Sequence, residues 1–252
     1  MTFQSLRKSF NLFKFYTKLY LAGTYFTLFE KTYKVEGLDL IIPFHLTDIK
    51  FRGQFPINFY EKQERRYLKQ FLPKNATVLE LGACLGVVSC ITNRLLEHPE
   101  RQVVVEANPN VIPIIEENKA RNHCKFNIEH CIVSSQPVNT FFIGKNILTS
   151  SNLRKSAEQI TVTGKTVAQL EQQYGLTFDV LIMDIEGGEL GFLRENREKL
   201  EQFNVVFMEI HPHPEILSAE DVAECLAIME AAGLQKVVDE ANFWVMVRPK
   251  TV

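Results

Sequence analysis

The order of segments predicts an α/β protein: a mostly parallel sheet with crossover helices, ending in an antiparallel hairpin. Three observations carry that expectation. From about residue 76 onward, strand-like apolar runs alternate with helix-periodic ones, as strands joined by crossover helices do. Two strand-like segments near the C-terminus, 234–240 and 242–248, are too close together for anything but a hairpin. With 46% apolar residues in 252, the chain can fill a core, and nothing in its composition suggests disorder.

Taken in order, "ATVLELG" (76–82) reads as the first strand, and "GVVSCITNRLL" (86–96) as a helix with Val87, Val88, Ile91 and Leu95 on one face. "QVVVEA" (102–107), "NVIPIIEENKARN" (110–122) and "KFNIEHCIV" (125–133) continue as strand, helix and strand. Residues 134–157 break the rhythm as a polar excursion over one edge, the kind of long loop that is either functional or variable. "QITVTG" (159–164) is extended, "TVAQLEQQY" (166–174) helical, "FDVLIMDI" (178–185) a buried strand, "ELGFLRENREKLEQF" (189–203) a helix and "NVVFMEI" (204–210) a strand. Ser218 and Asp221 form a capping box for a helix that Gly233 closes. Upstream, Asn58 and Glu61 give a capping-box pattern for a helix over 60–72, and 36–53 reads as a strand pair. These features divide the chain into an N-terminal helix and β-strand cap, 1–57, and a main unit, 58–252.

The net charge of −2 gives nucleic acid no electrostatic support. The charge is uneven, about +5 over residues 1–34 and about −7 over the rest. Five scattered cysteines with no CxxC spacing predict reduced thiols in a cytoplasmic protein and no zinc site. No run of eighteen apolar residues exists, and "LYLAGTYFTLF" (19–29) lacks the cleavage pattern of a signal peptide.

In an open α/β sheet, ligands bind at the carboxyl ends of the strands, where strand order reverses. That rule gathers Gly82 to Gly86, Glu106 to Asn108 and Asp184 to Glu189 on one rim. Counting from Gly82, Cys84 and Val87 replace two glycines of a nicotinamide fingerprint, so NAD is disfavoured. Glu106 ends the second strand and suits the two hydroxyls of an adenosine ribose. An adenosine ligand without pyrophosphate, met by carboxylates near the first turn, points to S-adenosylmethionine. Glu80 then has a reason to stand in an apolar strand: it holds the glycine turn through backbone N–H groups and favours the cationic methionine end.

"VLELGACLGVVS", "VVVEANPN", "TSSNL", "TVAQL" and "FDVLIMDIEGGEL", in that order, resemble the FkbM-type methyltransferases over roughly residues 55–215. The resemblance implies a Rossmann-like class I methyltransferase with a seven-stranded sheet, S-adenosylmethionine as cofactor and transfer to a hydroxyl of a small molecule or saccharide. It implies that Glu80, Gly82 and Gly86 line the methionine side, that Glu106 grips the ribose and that Asp184 sits close to the methyl group. Ala83, Cys84, Ala107 and Asn108 are expected to complete the cofactor-binding set. Cys84 stands where the family usually carries Asn, which leaves a backbone N–H but no side-chain amide, and Met183 stands where Ile is common.

An alcohol needs a base as its bond to carbon forms. Asp184, Glu186, His211 and His213 reach the rim; a histidine of the pair or Glu186 is expected to be the base, with Asp184 positioning the donor. Asp184, Glu186 and Glu189 would suit Mg²⁺, but no further ligand is obvious after the next strand, and no metal is expected. "DIEGGE" lacks an aromatic to stack a flipped base, so nucleic acid is not the expected acceptor. A catalytically inactive cofactor-binding module is the alternative. Residues 3–20 place Phe3, Leu6, Phe10, Phe13 and Tyr20 on one stripe and basic residues on another. Two readings stand, a helix lying on an anionic membrane and, preferred, a cap over the substrate entrance.

Overall fold

The computed structural model describes residues 3–144, 158–213 and 216–249. A long helix, α1 (Phe3–Phe29), leads into a hairpin of β1 (Thr32–Val35) and β2 (Leu38–Ile41), and then a short helix, α2 (Ile49–Arg52). The strand pair expected over 36–53 therefore lies earlier. Its turn is Glu36-Gly37, both with positive φ (53° and 80°), the two-residue geometry that matches the twist of paired strands. Residues 49–52 are helical because the Asp48 side chain accepts from the Phe51 N–H at 2.7 Å. Two glycines let α1 and α2 touch: a Cβ on Gly23 would lie 1.8 Å from the Ile49 carbonyl oxygen, and one on Gly53 1.9 Å from that of Leu19.

The next helix, α3 (Lys62–Phe71), starts after Glu61, which is left-handed (φ 50°) and makes no side-chain cap. The expected Asn58 cap does not form, because the Asn58 side chain accepts from the Tyr33 hydroxyl at 2.8 Å instead. The main unit then runs β3 (Val78–Leu81), α4 (Val87–Leu95), β4 (Gln102–Glu106), α5 (Ile112–Arg121), β5 (Asn127–His130), β6 (Ile132–Val133), β7 (Val138–Ile143) and β8 (Glu158–Lys165). It continues through α6 (Val167–Tyr174), β9 (Val180–Met183), α7 (Glu189–Glu195), α8 (Arg197–Leu200), β10 (Val205–Glu209), α9 (Ala219–Ala231), β11 (Gln235–Glu240) and β12 (Phe243–Val247). The Ser218–Asp221 capping box forms as expected.

The central sheet has seven strands in the order β11-β12-β10-β9-β3-β4-β5. Neighbours from β10 to β5 are parallel, and β12 is antiparallel to both β10 and β11. This is the mostly parallel, hairpin-terminated α/β sheet, and strand order reverses between β3 and β9. The excursion expected over 134–157 is partly a strand: β7 pairs antiparallel with β8, and β6 completes a separate three-stranded sheet. The remainder of that stretch, residues 145–157 with the "TSSNL" motif, lies outside the described residues.

Side-chain alternation builds two apolar layers. Leu79, Leu81, Leu181 and Met183 pack toward α6, α7 and α9. On the other face, Val78, Ile182 and Phe207 meet Tyr67 and Leu68 of α3. Phe26, Leu40, Phe51 and Phe55 share a buried cluster with Val87, Ile91 and Ile115, so the N-terminal elements cover α4 and α5. Full burial of one such side chain contributes about 1.5–3 kcal/mol. No described helix is long and apolar enough to cross a membrane.

Candidate active site

At the strand-order reversal, β3 ends in Gly82 (φ 87°), whose N–H donates to the Val105 carbonyl at 2.9 Å. Cys84 is also left-handed (φ 51°), and Gly86 (φ 73°) opens α4. The turn directs the Cys84 N–H onto Glu106 Oε2 at 2.9 Å, and the Asn108 N–H meets Oε1 at 2.7 Å. Burial pushes the Glu106 carboxyl up, and these backbone donors oppose the push. Its orientation is thus fixed by the glycine turn on one side and the β4 end on the other.

Glu80 corrects the expectation. It is 1% exposed, and its carboxylate accepts from the Ser89 hydroxyl of α4 and, at 2.9 Å, from the Gln102 side-chain amide of β4. Side chains, not the backbone N–H groups of the turn, satisfy it. Burial pushes it up to about 7 while these two bonds pull down. With Ala83 it lines a small recess beside the main cleft.

The main cleft, about 270 Å³, is walled by Gly82, Cys84, Glu106, Ala107, Asn108, Asp184 and Glu186 among the residues expected from sequence. Gly86 stands behind it, where a Cβ would press on Ile115 at 3.2 Å. The cleft also contains Tyr60, Glu61, Val111, Phe141 and Phe192, which sequence reasoning missed.

Beyond Asp184 the acidic turn closes on a histidine. Glu186 adopts a left-handed conformation (φ 52°) and Gly187 follows at φ 100°, aligning the Gly187 N–H with Glu189 Oε1 at 3.1 Å. Glu189 is fully buried, and the same oxygen lies 2.8 Å from His211 Nδ1. A carboxylate only accepts, so Nδ1 carries the proton and Nε2 is the nitrogen left for chemistry. Nε2 lies 3.4 Å from Asp184 Oδ1, 3.8 Å from Glu186 and 3.9 Å from Glu209. His213 pairs through its backbone with Leu217. The other face of the cluster comes from α3 and its cap: Glu61 is pushed up to about 8 by burial and by Glu64, and Glu64 up to about 7 by burial and by Glu209. Burial, then Glu209, raises Asp184 well above the usual carboxylate range. Desolvation pulls His211 down, but its bond to Glu189 and the carboxylates of Glu186, Glu189 and Glu209 outweigh it and raise the imidazole to about 9. Ligand atoms of Asp184, Glu186 and His211 lie within 4.8 Å of one another, as do those of Glu61, Glu64 and Glu209, so either triplet has the spacing to bridge a cation.

A cleft with apolar walls, a carboxylate pinned by two backbone N–H groups and an acidic far end suits a ligand with an adenine, a diol and a net positive charge. Asp184 Oδ1 is buried and accepts no hydrogen bond; its nearest basic group is His211 Nε2 at 3.4 Å. Fold and site together define a class I S-adenosylmethionine-dependent methyltransferase. The description "Methyltransferase FkbM domain" matches residues 80–235, and the chain belongs to that family. No curated protein matches it. Among solved structures it is similar to a methyltransferase from Pyrococcus furiosus, at 14% identity and TM-score 0.48, covering 91% of this chain and 95% of that one. An O-methyltransferase from Bacillus cereus in complex with SAH is similar at 12% identity and TM-score 0.44, covering 81% and 84%. The precorrin-6y C5,15-methyltransferase of Geobacter metallireducens gives 11% identity and TM-score 0.47, covering 74% and 85%.

Glu106→Gln would set an amide against the two N–H groups that hold the carboxylate. Loss of a charged acceptor is worth about 1.5–3 kcal/mol, so affinity for S-adenosylhomocysteine should fall ~10- to 100-fold by calorimetry. An unchanged dissociation constant would remove Glu106 from the binding site.

Proposed function

We propose that this chain transfers a methyl group to a hydroxyl of a small molecule or glycan, with His211 as general base. One observation carries the reading: Glu189 grips Nδ1 of His211 and leaves Nε2 facing Asp184, which lines the cofactor cleft. The bound cofactor supplies an electrophilic methyl on a sulfonium. Glu106 orients the adenosine end, Gly82 and Cys84 form the turn beneath it, and Glu80 braces that turn from behind through Ser89 and Gln102. Glu186 offers negative charge to the sulfonium side, and Asp184 positions the donor. His211 Nε2 takes the acceptor's hydroxyl proton, and Glu189 stabilises the resulting imidazolium.

The test is a panel of hydroxylated acceptors assayed with labelled methyl donor, beside calorimetry with S-adenosylhomocysteine. Transfer to oxygen supports the reading; binding without transfer to any acceptor supports an inactive cofactor-binding module. The proposed reaction needs no metal, although the acidic triplets could bridge one. Turnover in EDTA should equal turnover without it. A loss restored by added Mg²⁺ or Mn²⁺ would reassign Asp184, Glu186 and His211 as ligands.

A further inference from the structure

The helix α1, for which a cap over the substrate entrance is the preferred expectation, packs on α2 through Gly23 and Gly53, and no described residue of it lines the cleft. Its buried side is Leu19 and Phe26. At 100° per residue, Phe10, Thr17, Leu21, Thr24 and Leu28 occupy the opposite arc, where Phe10, Leu21 and Leu28 are 56–69% exposed. Nine of the fourteen exposed large apolar side chains among the described residues belong to this one helix. A patch of that density marks a contact surface.

Charge identifies the partner. The 27 residues of α1 contain no Asp or Glu, and its charged residues are Arg7, Lys8, Lys14 and Lys18. Arg7, Lys14 and Lys18 fall on one shoulder of the apolar arc; Phe13, Tyr16 and Tyr20 fall on the other. Lys50 of α2 adds a further cation, its ammonium 4.5 Å from the Tyr16 ring centre. An apolar centre flanked by cations and aromatic rings matches a lipid–water interface with anionic headgroups. A protein partner of the same shape would need its own carboxylates, whereas an anionic bilayer supplies both chemistries at once.

We propose that the outward face of α1 docks the protein in-plane on an anionic membrane surface. The helix lies on the bilayer and does not cross it. The docked helix touches the cofactor cleft indirectly: the Phe15 ring sits 5.3 Å from that of Phe59, and the next residue, Tyr60, lines the cleft.

The test is flotation of the full chain with phosphatidylcholine vesicles, with and without phosphatidylserine. The chain should float with the anionic vesicles and sink with neutral ones, and high salt should release it. Lys14→Glu with Lys18→Glu should weaken partitioning at least ~20-fold, from the usual gain per basic residue at a charged surface. Phe13→Ser with Leu21→Ser should also abolish flotation, and both pairs should keep wild-type affinity for S-adenosylhomocysteine, which shows that they fold. Three results overturn the proposal. These are no flotation of the wild type, equal flotation with neutral vesicles, or a dimer in sedimentation that the Phe13/Leu21 pair dissolves without lipid.

Discussion

His211→Ala should reduce kcat for methyl transfer by about 10²- to 10⁴-fold, the range that a positioned general base supplies. The dissociation constant for S-adenosylhomocysteine should change by less than about threefold, as expected of a base that acts on the acceptor and of a histidine outside the cleft wall. The pH profile makes the assignment more exacting. The base must be unprotonated, and the imidazole is raised to about 9 by Glu189 and its carboxylate neighbours, against desolvation. At neutral pH most molecules therefore hold the proton, and the rate should climb with pH toward about 9. Replacing Glu189 by Gln removes a charge that raises that value, so the rising limb should move to lower pH. A structural role for His211 would lower the rate without moving the limb. If His211→Ala turns over like wild type with the true acceptor, the base lies elsewhere, and Glu186 is the next carboxylate to test.

The strands that carry the site were legible because each announces itself locally. "VLELG" and "VVVEA" are short apolar runs that end in a glycine or a carboxylate, and both land on the rim. The hairpin of β1 and β2 was less legible: its Glu36-Gly37 turn carries the glycine but not the Asn or Asp that usually precedes it. The partners of Glu80 were not legible. Ser89 and Gln102 come from α4 and β4, 9 and 22 residues away, and only the packed sheet shows that they converge on one carboxylate. Glu61 and Glu64 were harder still. In sequence they are the start of a polar helix, and nothing local separates them from solvent-facing residues. They join the site because α3 docks beside β10 and β12, which brings them to Glu209. Asp184, Glu189 and His211 were each visible as strand-end or turn residues, but their pairing depends on two turns closing on one another.

Gly82→Ala should be the most damaging single change near the cleft. An added Cβ would lie 1.7 Å from the Asp184 carbonyl oxygen, where no real contact is tolerated. The obstacle is backbone, held in place by the Asp184 N–H bond to the Leu81 carbonyl at 3.0 Å, so no side chain can swing aside. Only separation of β3 from β9 relieves it, and that opens the sheet at its centre. The left-handed φ of 87° adds a further cost for any L side chain, of about 1–2 kcal/mol. Together these place the substitution among the largest single-residue losses, about 4–5 kcal/mol, or a fall in melting temperature of roughly 10 °C or more for a chain of this size. Gly191→Ala is the matched control: it lies in α7 with nothing within 4 Å of its added Cβ, and it should be neutral or stabilising by up to about 1 kcal/mol. Thermal unfolding of the two variants beside wild type decides the matter, and failure of Gly82→Ala to accumulate as folded protein counts with a large loss. A Gly82→Ala protein that melts with wild type and still binds S-adenosylhomocysteine would show that β3 and β9 do not approach as closely as the cleft requires.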